Sequence, residues 1–112
     1  MEFPISSTLM DFCVLSLLKD KDRYGYSFTQ KMQGVMDISE STIYPVLRRL
    51  KKDKYVTTYD LPYQGRNRKY YSITDKGLEK LGQYQEDWLE FKNMIDKITG
   101  ENVGEDGVGE DD

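Results

Sequence analysis

After Thr74, the residues Leu78, Leu81, Gln85, Trp88, Phe91, Ile95 and Ile98 recur at steps of three or four across three heptads. That period predicts a single helix of about 25 residues, capped by Thr74 and stopped at Gly100. A helix of that length is too long to bury its seam inside a monomer of 112 residues. The seam therefore predicts a second chain. Everything upstream must then fold as a small domain that carries this helix as an appendage.

The upstream pattern reads as three short helices and two strands. Residues 5–19 form the first helix, with Ser6, Ser7 and Thr8 as candidate caps. It is apolar on most of its circumference, which predicts burial on more than one side. A polar break at residues 19–23 ends it, and Tyr24-Gly25-Tyr26 leads into a second helix over 26–36. Its inward residues are Phe28, Met32 and either Val35 or Met36. Ser39 or Ser41 can cap a third helix, in which Ile43, Val46, Leu47 and Leu50 form an amphipathic stripe ending near Asp53. Pro45 suits a first turn, where its missing N–H has no intrahelical partner, and this sets the helix start at 41–44. Two runs rich in β-branched and aromatic residues follow at 55–59 and 69–73. Between them, residues 60–68 are expected to form a long hairpin loop turned by Pro62, Gly65 and Asn67.

Composition narrows the chemistry. Cys13 is the one cysteine and histidine is absent, so no intrachain disulfide, zinc cluster or histidine base is available. No metal or cofactor site is expected, and an enzyme is a poor reading. The longest apolar run is far short of the ~20 residues that a membrane span needs. The N-terminus lacks the basic region of a signal peptide, and a cytoplasmic location is expected.

The net charge of −4 at first argues against a nucleic-acid binder, but the charge is unevenly placed. Residues 100–112 hold six acids and no base, and this glycine-rich acidic tail is expected to be disordered. The remaining 99 residues carry 16 bases against 14 acids, and residues 39–69 alone carry eight against three. The basic charge gathers on the third helix and the hairpin.

Three helices followed by a two-stranded hairpin predict a winged helix-turn-helix: mainly α in an α+β class, with a two-stranded wing and a long C-terminal dimerisation helix. Residues 1–74 form the DNA-binding domain in this reading, and residues 75–99 the dimerisation helix. The partner expected is double-stranded DNA. Ser39, Ser41, Thr42 and Tyr44 stand at the start of the third helix, where hydroxyls and free N–H groups can meet phosphates and base edges. Arg48 or Arg49, one turn on, is the phosphate contact, whereas Lys51, Lys52 and Lys54 read as a solvated face. Arg66, Arg68 and Lys69 crowd the hairpin, where three clustered cations have no plausible buried role. Tyr70 and Tyr71 must point to opposite faces of their strand, one to the core and one to solvent.

The run Ser41-Thr42-Ile43-Tyr44-Pro45-Val46-Leu47-Arg48-Arg49-Leu50, together with Gly65-Arg66-Asn67-Arg68-Lys69-Tyr70-Tyr71-Ser72-Ile73-Thr74, resembles the PadR family of bacterial transcriptional regulators. Tyr24-Gly25-Tyr26 is similar to the start of that family's second helix, which adds Tyr24 to the candidate DNA contacts. The resemblance extends over residues 5–98, and the short C-terminal part looks like the small, multidrug-type subfamily. It implies a homodimer whose last helix packs on the first helix of its partner, with Leu9, Leu81, Trp88, Phe91, Ile95 and Ile98 at the interface. It also implies repression at a palindromic operator, relieved by a planar aromatic or drug-like effector. In such regulators a tryptophan at the position of Trp88 stacks on the ligand, and Phe12, Ser16, Tyr84 and Phe91 are its expected neighbours. Where the family commonly has glycine after the recognition helix, this chain has Lys54, which must take the helix-ending conformation less comfortably.

Two other readings stand beside this one. The same winged helix, or the acidic tail, could bind another protein with no specific operator. Trp88 could be an interface anchor alone, for which tryptophan is enriched. Cys13 reads as a small buried hydrophobe, with redox sensing as the alternative.

Overall fold

The computed structural model, which describes residues 2–100, has seven elements. They are α1 (Ser7–Asp20), β1 (Arg23–Tyr24), α2 (Gly25–Gln33), α3 (Glu40–Lys52), β2 (Val56–Tyr63), β3 (Arg66–Ile73) and α4 (Asp75–Thr99). The fold is mostly helical, with an antiparallel sheet in the order β1-β3-β2. The acidic tail lies outside the described residues apart from Gly100.

Ser6 caps α1, its hydroxyl accepting from the Leu9 amide at 3.2 Å. The core sits where α1, α2 and α3 meet the sheet, around Val14, Leu15, Phe28, Ile43, Leu47 and Leu50. The α3 stripe is buried as its spacing predicts. The chain divides into two compact units between Leu81 and Gly82, within α4. Leu81 belongs to the core of the first unit, 1% exposed. Of the residues expected at a dimer seam, Leu81 thus offers little surface to a partner, whereas Trp88, Phe91, Ile95 and Ile98 are exposed.

Several boundaries differ from the sequence reading. α2 ends after Gln33 with Gly34 as its C-cap, short of residue 36. Val35 is consequently 88% exposed, whereas Phe28 and Met32 are inward. The turn to α3 is braced by the Gln33 side-chain amide donating to the Ile38 carbonyl at 2.9 Å. α3 begins at Glu40, so Pro45 is its sixth residue and not a first-turn residue. The Ser41 carbonyl therefore lacks the i+4 amide that a helix would supply, a cost carried by the strong apolar stripe behind it.

α3 ends as expected of a chain with lysine in place of glycine. Lys54 holds φ at 68°. The Lys54 amide donates to the Lys51 carbonyl and the Tyr55 amide to the Leu50 carbonyl, each at 3.0 Å, the paired bonds of a Schellman cap. Thr74 then ties α4 to this cap, its hydroxyl donating to the Lys54 carbonyl at 2.7 Å and accepting from the Gly77 amide at 3.0 Å.

The hairpin differs most. Residues 60–68 are not a long loop, because β2 and β3 pair without interruption from Val56↔Ile73 to Tyr63↔Arg66. Only Gln64 and Gly65 turn the chain, with φ of 51° and 79°. Positive φ at both central residues is the signature of a type I′ turn, whose twist matches the strands. Pro62 is tolerated because β2 is an edge strand, where a missing N–H need not break a ladder. The third strand, β1, pairs through Arg23↔Tyr71 and Tyr24↔Tyr70 and was absent from the two-stranded expectation. Arg23 is 6% exposed, its Nε donating to the Leu17 carbonyl at 3.1 Å and an Nη to Asp20 at 3.3 Å. It closes the C-terminal end of α1 instead of facing solvent.

Candidate nucleic-acid interface

Strand alternation divides the wing into two faces. Tyr71 turns inward and meets Phe28 edge-on, ring centroids 5.8 Å apart. Tyr70 turns the other way, stacked on Tyr59 at 5.6 Å and tilted against Tyr24 at 5.7 Å. The Tyr59 hydroxyl donates to Asp22 at 2.6 Å, which anchors the aromatic row to the segment before β1. Arg68 extends this row: its guanidinium carbon lies 4.1 Å from the Tyr24 ring centroid and 3.6 Å from that of Tyr63.

Between α3 and the wing is an open concavity of about 870 Å³. Tyr24, Tyr44, Arg48, Arg66, Arg68 and Lys69 all line it. Six residues picked out on separate segments of the sequence thus converge on one face. Tyr44 reaches it because Gly25 leaves room: a Cβ there would lie 3.0 Å from the Tyr44 ring and hydroxyl. Burial pushes the Tyr71 hydroxyl above its ordinary range, Tyr44 adds to this and Arg48 opposes it. Tyr71 thus stays neutral at the floor of the concavity.

Ser39, Ser41 and Thr42 are exposed at the N-terminal end of α3, outside the concavity lining. Ser39 caps the helix by position, but its hydroxyl makes no capping bond and instead pairs with Ser41 at 2.7 Å. Glu40 stands in the same turn, and its carboxylate works against a phosphate there. The wing, with Arg66, Arg68 and Lys69, carries the denser positive charge. Arg48 reaches the concavity and Arg49 does not. Arg49 makes a two-point ion pair with Asp11 of α1, both contacts at 2.8 Å, and so straps α3 to α1.

The expected effector and interface residues fall on α1 and α4. Leu9 and Phe12 are half-buried on α1, and the exposed Ser16 hydroxyl donates to the Phe12 carbonyl at 2.7 Å. On α4, Tyr84 is half-buried, while Phe91, Ile95 and Ile98 are exposed. Trp88 is 41% exposed, with its ring 6.2 Å from that of Phe91. Cys13 is half-buried, and burial pushes its thiol up, away from the reactive thiolate that redox sensing needs.

Tyr63, Gln64 and Asn67 also line the concavity, and the sequence reading passed over them. Their signal was the strand register: Tyr63 is the cross-strand partner of Arg66 once pairing runs to the tip.

The profile of the transcriptional regulator PadR-like family matches residues 14–83 of this chain. The chain belongs to the PadR-like family. A solved structure from Streptococcus mutans UA159 is similar over all of both chains, at 36% identity and a TM-score of 0.82. A PadR family transcription regulator from Clostridium difficile R20291 superposes with a TM-score of 0.75 at 26% identity, covering 80% of this chain and 97% of that one. An uncharacterised protein of Lysinibacillus sphaericus is 37% identical over 93 residues, 78% of this chain and 84% of the relative. As a PadR-like protein the chain is a transcription regulator of the winged-helix, DNA-binding type and not an enzyme. Among the described residues, no helix is long and apolar enough to cross a membrane.

Proposed function

We propose that this PadR-like chain is a homodimeric repressor that binds a palindromic operator and is released by a planar aromatic or drug-like effector. The observation that carries the DNA-binding part is the face on which Tyr24, Tyr44, Arg48, Arg66, Arg68 and Lys69 converge. Two copies would set their α3 helices about one DNA turn apart, ~34 Å, in successive major grooves. Residues 1–74 hold the DNA, and residues 75–99 join the copies. The protein works in the cytoplasm.

Dimerisation is supported by the apolar residues that α4 leaves exposed, among them Trp88, Phe91, Ile95 and Ile98. A residue beside a two-fold axis meets its own copy, so paired Trp88 rings can sandwich a flat molecule. Phe12, Ser16, Tyr84 and Phe91 are the further contacts in this reading. Ligand binding there biases a pre-existing equilibrium away from the DNA-competent spacing.

The test is a mobility-shift titration of the protein against duplex from its own promoter region at rising salt. A specific complex that weakens steeply with salt is expected. Binding no tighter than to unrelated duplex sinks the operator. For the effector, calorimetry with planar aromatic cations on the wild type and Trp88→Ala separates platform from anchor: equal binding by both removes Trp88 from the ligand site.

A further inference from the structure

The wing carries one cation unlike the others. Arg66 and Lys69 are exposed, whereas Arg68 is half-buried and has two aromatic rings against its guanidinium, at 3.6 and 4.1 Å. Cation–π contacts engage the ring faces and consume none of the five N–H donors of arginine. Among the described residues, none accepts a hydrogen bond from the Arg68 side chain. A side chain with many rotamers is thus fixed by the protein while its whole hydrogen-bonding capacity is left unspent. Ordering such a side chain is ordinarily a cost of binding; here folding has already met it.

We infer that Tyr63 and Tyr24 are positioning residues, which hold Arg68 ready to take a DNA phosphate through two parallel N–H···O bonds. The inference rests on the DNA-binding reading above and adds how the wing obtains its affinity. The supports of the clamp are themselves held. Tyr24 is a β1 residue paired with Tyr70, which is stacked on Tyr59, and Tyr59 is bonded to Asp22. Tyr63 stands at the last pair before the type I′ turn. The fork geometry suits a phosphate's paired oxygens, which an ammonium cannot match as a point charge. Phosphate recognition carries no sequence information, so the clamp should add affinity equally at operator and unrelated DNA.

The test is an anisotropy titration of the full chain against labelled promoter-region duplex and unrelated duplex at several salt concentrations. The variants are Tyr63→Thr, which keeps strand propensity but removes the ring, Tyr63→Phe, Arg68→Lys and Arg68→Ala. Tyr63→Thr and Arg68→Lys should each weaken binding roughly three- to tenfold on both duplexes, the range expected for one side chain left to be ordered. Tyr63→Phe should bind like wild type. The salt slope should be unchanged in Tyr63→Thr, which keeps the charge, and should fall by about one in Arg68→Ala. Melting curves should be alike for wild type and the two Tyr63 variants, because Tyr63 is exposed. Wild-type affinity in Tyr63→Thr, or a loss in Tyr63→Phe equal to that in Tyr63→Thr, overturns the clamp. A wild type that binds neither duplex overturns the DNA-binding reading and the clamp with it.

Discussion

Lys54 holds a left-handed φ of 68° at the end of α3, where its Cβ crowds the backbone. Glycine avoids that crowding but has more freedom to lose on folding, so the two effects partly offset. Lys54→Gly should stabilise the protein by about 0.5–1 kcal/mol, read as a melting temperature raised by a few degrees. An unchanged or lower melting temperature would mean that the Schellman cap is unstrained. Tyr59 and Tyr71 make a second residue-scale prediction. The hydrogen bond to Asp22 raises the Tyr59 hydroxyl, and burial raises that of Tyr71. In the unfolded chain both would ionise near the ordinary tyrosine value of about 10. The folded state keeps these protons longer, so the stability they contribute is fully present below about pH 10 and is lost as pH rises through the folded values. Melting curves across the alkaline range should show this fall, and the double variant Tyr59→Phe/Tyr71→Phe should show less of it.

At the scale of elements, α3 is tied to α1 by a contact that its own period does not reveal. Arg48 and Arg49 are neighbours in sequence with opposite duties: Arg48 lines the concavity, and Arg49 is tied to Asp11. Arg49→Gln should cost about 2 kcal/mol of stability and leave DNA affinity nearly intact. Arg48→Gln should do the reverse, so thermal melting and a binding titration on the same two proteins check the division. Pro45 withholds one amide inside α3, and Pro45→Ala should raise stability by about 1 kcal/mol or more in denaturant titrations. The stripe of Ile43, Val46, Leu47 and Leu50 was legible in the sequence because burial of one helix face imposes its period directly. The wing was only half legible. Pro62, Gly65 and Asn67 carry loop propensity, but an edge strand tolerates proline and pairing overrode the rest. β1 could not be read at all, since two residues become a strand only through their pairing with β3. Arg23 and Arg49 escaped for a related reason: spacing locates a cation on a helix or turn, not the carbonyl or carboxylate it will meet.

Over the whole molecule, the overall acidity conceals a basic face. The excess of acids belongs to the tail and α4, while the bases gather from Ser39 to Lys69. Within that segment the structure distinguishes two kinds of cation. Arg48, Arg66, Arg68 and Lys69 line one concavity, and Lys51 and Lys52 are exposed outside its lining. The exposed apolar residues of α4 predict association, and Ile95→Asp should move the protein from dimer to monomer in sedimentation at micromolar concentration. In the proposed reading, DNA binds at the concavity between α3 and the wing. The decisive comparison is charge reversal, Arg66→Glu/Arg68→Glu against Lys51→Glu/Lys52→Glu, in binding to promoter-region duplex. Both pairs change the net charge equally. The wing pair should lose roughly a hundredfold or more in affinity and the helix pair only a few-fold. Equal losses, or a wing pair that binds like wild type, would contradict that reading.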